Sequence, residues 1–281
     1  MDPTLRDYLL SVLFGVIEGL TEFLPVSSTA HLRLVKEPLG LMESEFWKMY
    51  DVVIQLGAIL AVVVYFRSRI AKFVRTFPKG EAGDLTLLTH PLTLVLLAFC
   101  VTAVPIAIGL TGLIKDNLES LWVMGAALLV GGIVMWVVDA LLGDKGRTEE
   151  MERMRWPQAV VVGACQILAA VFPGTSRSMS TIAGGQLAGM TRTTALEFSF
   201  FLAIPTMCAA CVFDLKDTID SGLDMTGHLW GVLAVGFVVS FFVAWAVIAW
   251  FMAWVRKHGF VPFAIYRIVL GVAVLAYAWM G

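Results

Sequence analysis

Long apolar runs separated by short charged stretches dominate this chain. Six of them, roughly residues 47–66, 90–112, 120–142, 193–213, 229–254 and 262–280, approach the ~20 apolar residues that a helix needs to cross a bilayer. Two more apolar segments, roughly 8–35 and 157–190, are interrupted in the middle by Pro, Ser, Thr and charge. The first carries Glu18, Glu22, Pro25, Ser27, Ser28, Thr29 and His31, the second Pro173, Gly174, Thr175, Ser176, Arg177, Ser178 and Thr181. Non-helical backbone at membrane depth survives only where protein buries it or where it lines a wet cavity. The pattern therefore predicts two re-entrant helix–loop–helix hairpins. The fold class expected is an all-α polytopic membrane protein of six transmembrane helices plus those hairpins.

The plan repeats. Gly15, Glu18, Pro25, Ser27 and Ser28 align with Gly163, Gln166, Pro173, Thr175 and Ser176 at a constant offset of 148. Each half, approximately 1–143 and 157–281, contains one hairpin followed by three spans, with a cytoplasmic loop 144–156 between them in a single membrane domain. An odd number of spans makes the second copy enter from the opposite face. The result is an inverted-topology repeat, whose sites lie near the midplane where broken helices meet. If the end of the first span faces the cytoplasm, twelve Lys and Arg residues fall on that side, in 67–79, 145–155 and at Arg192, Arg256 and Lys257. Six fall opposite, where the segment 214–228 is acidic with Asp214, Asp217, Asp220 and Asp224. The positive-inside rule selects this orientation and puts both termini outside.

Composition agrees with a membrane solvent: 59% of the 281 residues are hydrophobic and 15% charged, with a mean hydropathy of +0.84. A soluble domain carries about 25% charged residues. A net charge of −2 provides no field to recruit nucleic acid. The four cysteines lie in apolar runs, so Cys208 and Cys211 are expected as packing residues rather than a redox pair. No basic region precedes the first apolar run, and no signal peptide is expected.

The interrupted segments carry the chemistry. Glu18 and Glu22, four apart, share one helix face. Carboxylates within a membrane ordinarily mark a functional cavity, although interfacial helix-end acids would have the same spacing. Ser27, Ser28 and His31 then supply hydroxyls and an imidazole beside a carboxylate, the ingredients of an activated nucleophile. Capping accounts for one hydroxyl after Pro25, not for the set. In the second segment Gly174, Thr175, Ser176, Ser178 and Thr181 provide a turn and hydroxyls around Arg177. A helix N-terminus favours anions, and a guanidinium binds phosphate oxygens in bidentate fashion. Arg177 and Arg267 are the two basic residues left inside the membrane, and a salt bridge from Arg177 to Glu18 or Glu22 is the plainer alternative. Gly184, Gly185 and Gly189 fit close helix packing, Glu197 fits a supporting acid or an interfacial charge, and Trp245–Trp254 and Trp279 fit interface belts.

These motifs, with Gln55-Leu-Gly57-Ala and the run Glu197–Pro205, resemble the two signatures of the bacterial undecaprenyl-diphosphatase (bacitracin-resistance) family over essentially the whole chain. The resemblance implies a hydrolase of the cell-wall lipid carrier. It would convert undecaprenyl diphosphate to undecaprenyl phosphate and phosphate in the bacterial plasma membrane, at a site facing the outer side, with Mg²⁺ or Ca²⁺ in support. Carried over, Ser28, His31, Glu22 and Arg177 are catalytic candidates. Ser27, Gly174, Thr175, Ser176, Ser178 and Thr181 are substrate-binding candidates, and Glu18 and Glu22 are candidate metal ligands, with a base the alternative role for the pair. The expected partners are a polyprenyl diphosphate lipid and the membrane, and a homodimer is compatible with this reading. Ser28 is the preferred nucleophile, with His31 the alternative. A transporter or flippase of a polyprenyl phosphate lipid is the competing function, because broken helices in inverted repeats are also a transporter architecture.

Overall fold

A computed structural model of the protein describes residues 2–42, 44–109, 120–143, 145–220 and 225–280. Among these the chain is helical, with a single isolated bridge between Thr148 and Met190 as its extended pairing. The helices are α1 (Pro3–Thr21), α2 (Ser28–Lys36), α3 (Glu45–Tyr65), α4 (Arg67–Thr76), α5 (Pro91–Ala107), α6 (Leu121–Leu142), α7 (Trp156–Val171), α8 (Arg177–Leu187), α9 (Arg192–Asp220), α10 (Gly227–His258) and α11 (Val261–Met280). Five of them (α3, α6, α9, α10 and α11) are long and apolar enough to cross a membrane, while α5 and α7 are shorter apolar helices.

Both interrupted segments are broken helices. Segment 8–35 ends its first helix at Thr21 and restarts at Ser28; segment 157–190 ends at Val171 and restarts at Arg177. Three details differ from the sequence expectation. The second span stops at Ala107, past the internal Pro105, and residues 110–112 of the expected span lie outside the described residues, as does Lys115. Helix α9 continues to Asp220, so 214–220 is helix rather than loop; Asp224 is outside the described residues. Lys36, counted as a loop charge, is buried: its ammonium donates to Asp51 Oδ1 at 2.5 Å and to the Trp47 carbonyl at 2.8 Å.

The chain divides into two compact units. One comprises residues 1–23, 28–65 and 203–250, the other 24–27, 66–202 and 251–281. In the first unit Phe14, Trp47, Tyr50, Ile54 and Val232 form the core with α2's Leu32. Tyr50 donates to the Ser11 carbonyl at 2.6 Å, and Ser11 Oγ donates to the Val232 carbonyl at 2.7 Å. Helix α1 approaches α10 so closely that a Cβ on Gly15 would stand 2.9 Å from the Gly236 carbonyl oxygen.

In the second unit α7 approaches α5 in the same way, and a Cβ on Gly163 would stand 2.5 Å from the Ala98 carbonyl oxygen. Thr102 Oγ1 donates to the Gly163 carbonyl at 2.8 Å, and Gln166 donates to Thr102 Oγ1 at 3.0 Å. Asp139, buried on α6, ties three elements together. It accepts from Arg192 Nε at 2.7 Å, Gln186 Nε2 at 3.1 Å and the Phe260 N–H at 2.9 Å. Asp139→Ala strands all three donors, one of them charged. A loss of about 3–5 kcal/mol is expected, the cost of breaking a buried pair from one side. Thermal unfolding of detergent-purified protein measures it. A melting point unchanged from wild type would remove Asp139 from the list of stabilising contacts.

Candidate active site

In the first unit, α1 ends where the acids sit. Glu18 is fully buried, and neither carboxylate oxygen has a hydrogen-bond partner among the described residues. Glu22 caps the helix, its N–H bonded to the Glu18 carbonyl at 2.9 Å, so the two acids keep one face. Ser28 opens α2, and its hydroxyl donates to Glu22 Oε2 at 2.5 Å. A charge-assisted O–H···O⁻ bond falls at about 2.5–2.7 Å. Ser28 is 7% exposed, which limits competition from water. His31 follows at i+3 on α2, half buried.

The predicted metal ligands can be tested on the same atoms. Glu18 presents two buried carboxylate oxygens without partners, an arrangement that is costly unless something compensates the charge. A hard divalent cation with oxygen ligands fits Glu18 and Glu22. Among the described residues no group of three or more His, Cys, Asp or Glu converges. The remaining ligands would therefore be water and phosphate oxygens.

The second unit holds the phosphate-type motif. Gly174 has a φ of 90°, and a Cβ there would stand 2.7 Å from the Met124 carbonyl oxygen, so both backbone and space require glycine. Ser176 caps α8, its hydroxyl accepting from the Met179 N–H at 3.3 Å and lying 3.0 Å from Ser178 Oγ. Arg177 occupies the first turn of α8, with Nη1 donating to the Ser199 carbonyl at 3.1 Å. Thr181 donates to the Arg177 carbonyl at 2.9 Å and lies 2.7 Å from Ser199 Oγ. Ser178, fully buried, donates to the Leu24 carbonyl at 2.9 Å. The structure thus groups Glu22 with Ser28 in one unit, and Ser176, Arg177, Ser178 and Thr181 in the other. Ser199 belongs to that second group, and the sequence reading did not name it; its only signal was its place in the run Glu197–Pro205.

Two residues preceding helices are strained alike. Ser27 and Ser176 have φ of 74° and 72°, the two non-glycine residues with positive φ among those described. Such backbone costs of order 1–3 kcal/mol and collects at functional sites. The shared φ pairs Ser27 with Ser176, whereas the sequence alignment set Ser28 against Ser176. The offset is 149 there and 148 along α1 and α7. Glu18's counterpart is then Gln166, a neutral amide spent on Thr102. At the positions of Glu18 and Glu22 only the first segment carries acids; Gln166 and Ala170 stand there in the second.

Glu197 is an ion-pair partner: its Oε1 accepts from Arg69 Nε at 2.7 Å, while Arg69 also binds Glu152 at 2.8 Å through both Nη atoms. Arg267 gains contacts that no sequence spacing indicated, described below.

A family model for the bacitracin resistance protein BacA matches residues 11–273. The chain belongs to that family. Among its BacA-family relatives is an undecaprenyl-diphosphatase of Koribacter versatilis, 59% identical over an alignment covering 96% of this chain and 98% of the relative. Another, from Caldanaerobacter subterraneus subsp. tengcongensis and also called undecaprenyl-diphosphatase, is 42% identical over 94% of this chain and 93% of the relative. A third, undecaprenyl-diphosphatase 1 of Frankia alni, is 40% identical over 93% and 92%. Both motif segments lie inside the BacA match.

Proposed function

We propose that this membrane protein is an undecaprenyl-diphosphate phosphatase, releasing inorganic phosphate and undecaprenyl phosphate and so returning the lipid carrier to cell-wall synthesis. The name shared by near full-length relatives supports the substrate. The Ser28–Glu22 hydrogen bond carries the mechanism. Glu22 accepts the hydroxyl proton as Ser28 Oγ attacks the terminal phosphorus. The P–O bond to the bridging oxygen breaks, and undecaprenyl phosphate leaves. Water, activated by His31, then cleaves the seryl phosphate and regenerates the hydroxyl. Arg177, at the start of α8 in the second unit, is the group of the second motif suited to phosphoryl charge, whose neutralisation is the main requirement in such chemistry. A divalent cation held by Glu18 and Glu22 would add positive charge for the diphosphate.

Six spans and two re-entrant hairpins in an inverted repeat remain the arrangement we favour. Helix α1 against α10 and α7 against α5 are equivalent pairs under the repeat, each made through the equivalent Gly15 or Gly163. The equivalent helices α6 and α11 pack on each other, with a Cβ on Gly271 falling 2.6 Å from the Leu129 nitrogen. The Lys and Arg distribution supports a reaction on the outer side of the bacterial plasma membrane. Lipid transport without hydrolysis would leave the Ser28–Glu22 contact without a purpose.

The test is phosphate release from farnesyl or longer prenyl diphosphates by detergent-purified protein. One phosphate per substrate and a prenyl monophosphate product are expected. Binding of the lipid without phosphate release would overturn the reading in favour of transport.

A further inference from the structure

Arg267 on α11 is fully buried. Among the described residues its guanidinium bonds only to main-chain carbonyls. Nη1 donates to Pro25 at 3.2 Å; Nη2 is shared among Thr175 at 2.9 Å, Gly174 at 3.1 Å and Ala127 at 3.2 Å. An isolated buried cation costs several kcal/mol after relaxation. Two of those four carbonyls immediately precede Ser176, and the Pro25 carbonyl lies two residues before Ser27, so the cation grips both strained tips. Its place is prepared on α6: a Cβ on Gly131 would stand 2.5 Å from Nη2.

A trans peptide sets its C=O and N–H on opposite sides. Holding the Thr175 carbonyl against Arg267 therefore aims the Ser176 N–H the other way, away from the guanidinium. A cation on the carbonyl side also polarises that peptide and strengthens its donor end.

We propose that Arg267 is a positioning residue for phosphoryl transfer, resting on the phosphatase reading above. It fixes the Gly174–Ser176 and Pro25 backbone so that the α8 amides meet the transition-state phosphoryl group. It touches no substrate itself. Arg177 binds the phosphate oxygens from the front, and Arg267 holds the backbone behind them. A packing role alone would make Arg267 matter for folding and not for turnover.

The experiment measures steady-state kinetics on a prenyl diphosphate for Arg267→Lys, Arg267→Met and Gly131→Ala, each assayed well below its own melting midpoint so that all chains are folded. Lysine reaches fewer of the four carbonyls and methionine none. The expected result is a kcat reduced about 10²-fold in the lysine variant and more in the methionine variant, the scale of a lost oxyanion donor. KM should stay within about threefold, the split expected of a group needed only in the transition state. Gly131→Ala keeps the charge and displaces the guanidinium, so a fall of about tenfold with KM held is expected there too. If the Arg267 variants do not fold, Gly131→Ala decides alone. Folded variants with wild-type kcat, or with losses confined to KM, would overturn the proposal while leaving the phosphatase reading intact. A wild-type protein that releases no phosphate defeats both.

Discussion

Ser28→Ala is expected to lower kcat by about 10⁶-fold, the scale of losing a catalytic nucleophile, while substrate affinity changes little. A serine hydroxyl has no useful anionic population at neutral pH and needs an adjacent base. Glu22, 2.5 Å away, is placed to accept the proton, and Ser28 itself is buried. Glu22→Gln keeps the hydrogen bond and removes the basicity, so it should approach the Ser28→Ala loss. His31 sits one turn further along α2 and acts on the second step, so His31→Gln should retain more activity than Ser28→Ala. Trapping the covalent intermediate separates the two nucleophiles. Phosphoserine is acid-stable, and phosphohistidine is acid-labile and base-stable. An acid-labile phosphoprotein still formed by Ser28→Ala would place the intermediate on histidine and sink the assignment.

Hydrophobic length made the spans legible, and local chemistry made the breaks legible, because both are properties of contiguous residues. The starts of α2 and α8 follow from Pro25 and Pro173 with hydroxyl residues behind them. Arg267 shows the limit. Its sequence neighbours on α11 are apolar, and its partners are carbonyls of Pro25, Ala127, Gly174 and Thr175. A main-chain carbonyl has no letter in a sequence, so nothing in the pattern names it as a ligand. Asp139 is similar, since one of its donors is the Phe260 N–H. The one-residue change of offset at the tips was hidden for a different reason. Ser27-Ser28 and Thr175-Ser176 match best by hydroxyl type, whereas the fold matches them by the positive φ of Ser27 and Ser176. Lys36 was misjudged because proximity to a helix end suggests solvent, but Asp51, a turn beyond Trp47 on the next helix, provides the counter-charge that permits burial.

Arg177→Lys is expected to reduce kcat by about 10³-fold even in fully folded protein, within the range that an arginine contributes to phosphoryl transfer. Lysine preserves the charge but not the planar fork, so the loss measures geometry rather than charge alone. The fork is oriented from two sides. Its backbone is held in the first turn of α8 by the Ser176 cap, and its Nη1 is anchored on the Ser199 carbonyl. Thr181 braces both ends, lying against Ser199 Oγ and donating to the Arg177 carbonyl. Ser199→Ala removes only the hydroxyl brace and leaves the carbonyl anchor. Its effect on kcat should therefore be far smaller, about three- to tenfold, on the scale of one neutral hydrogen bond. Arg177→Gln, which loses charge and fork together, should fall below the lysine variant. The measurement is kcat and KM on the same prenyl diphosphate, with melting points recorded for each protein. A folded Arg177→Lys enzyme within about threefold of wild-type kcat would mean that the guanidinium serves only to tie α8 to Ser199, and that another group neutralises the phosphoryl charge.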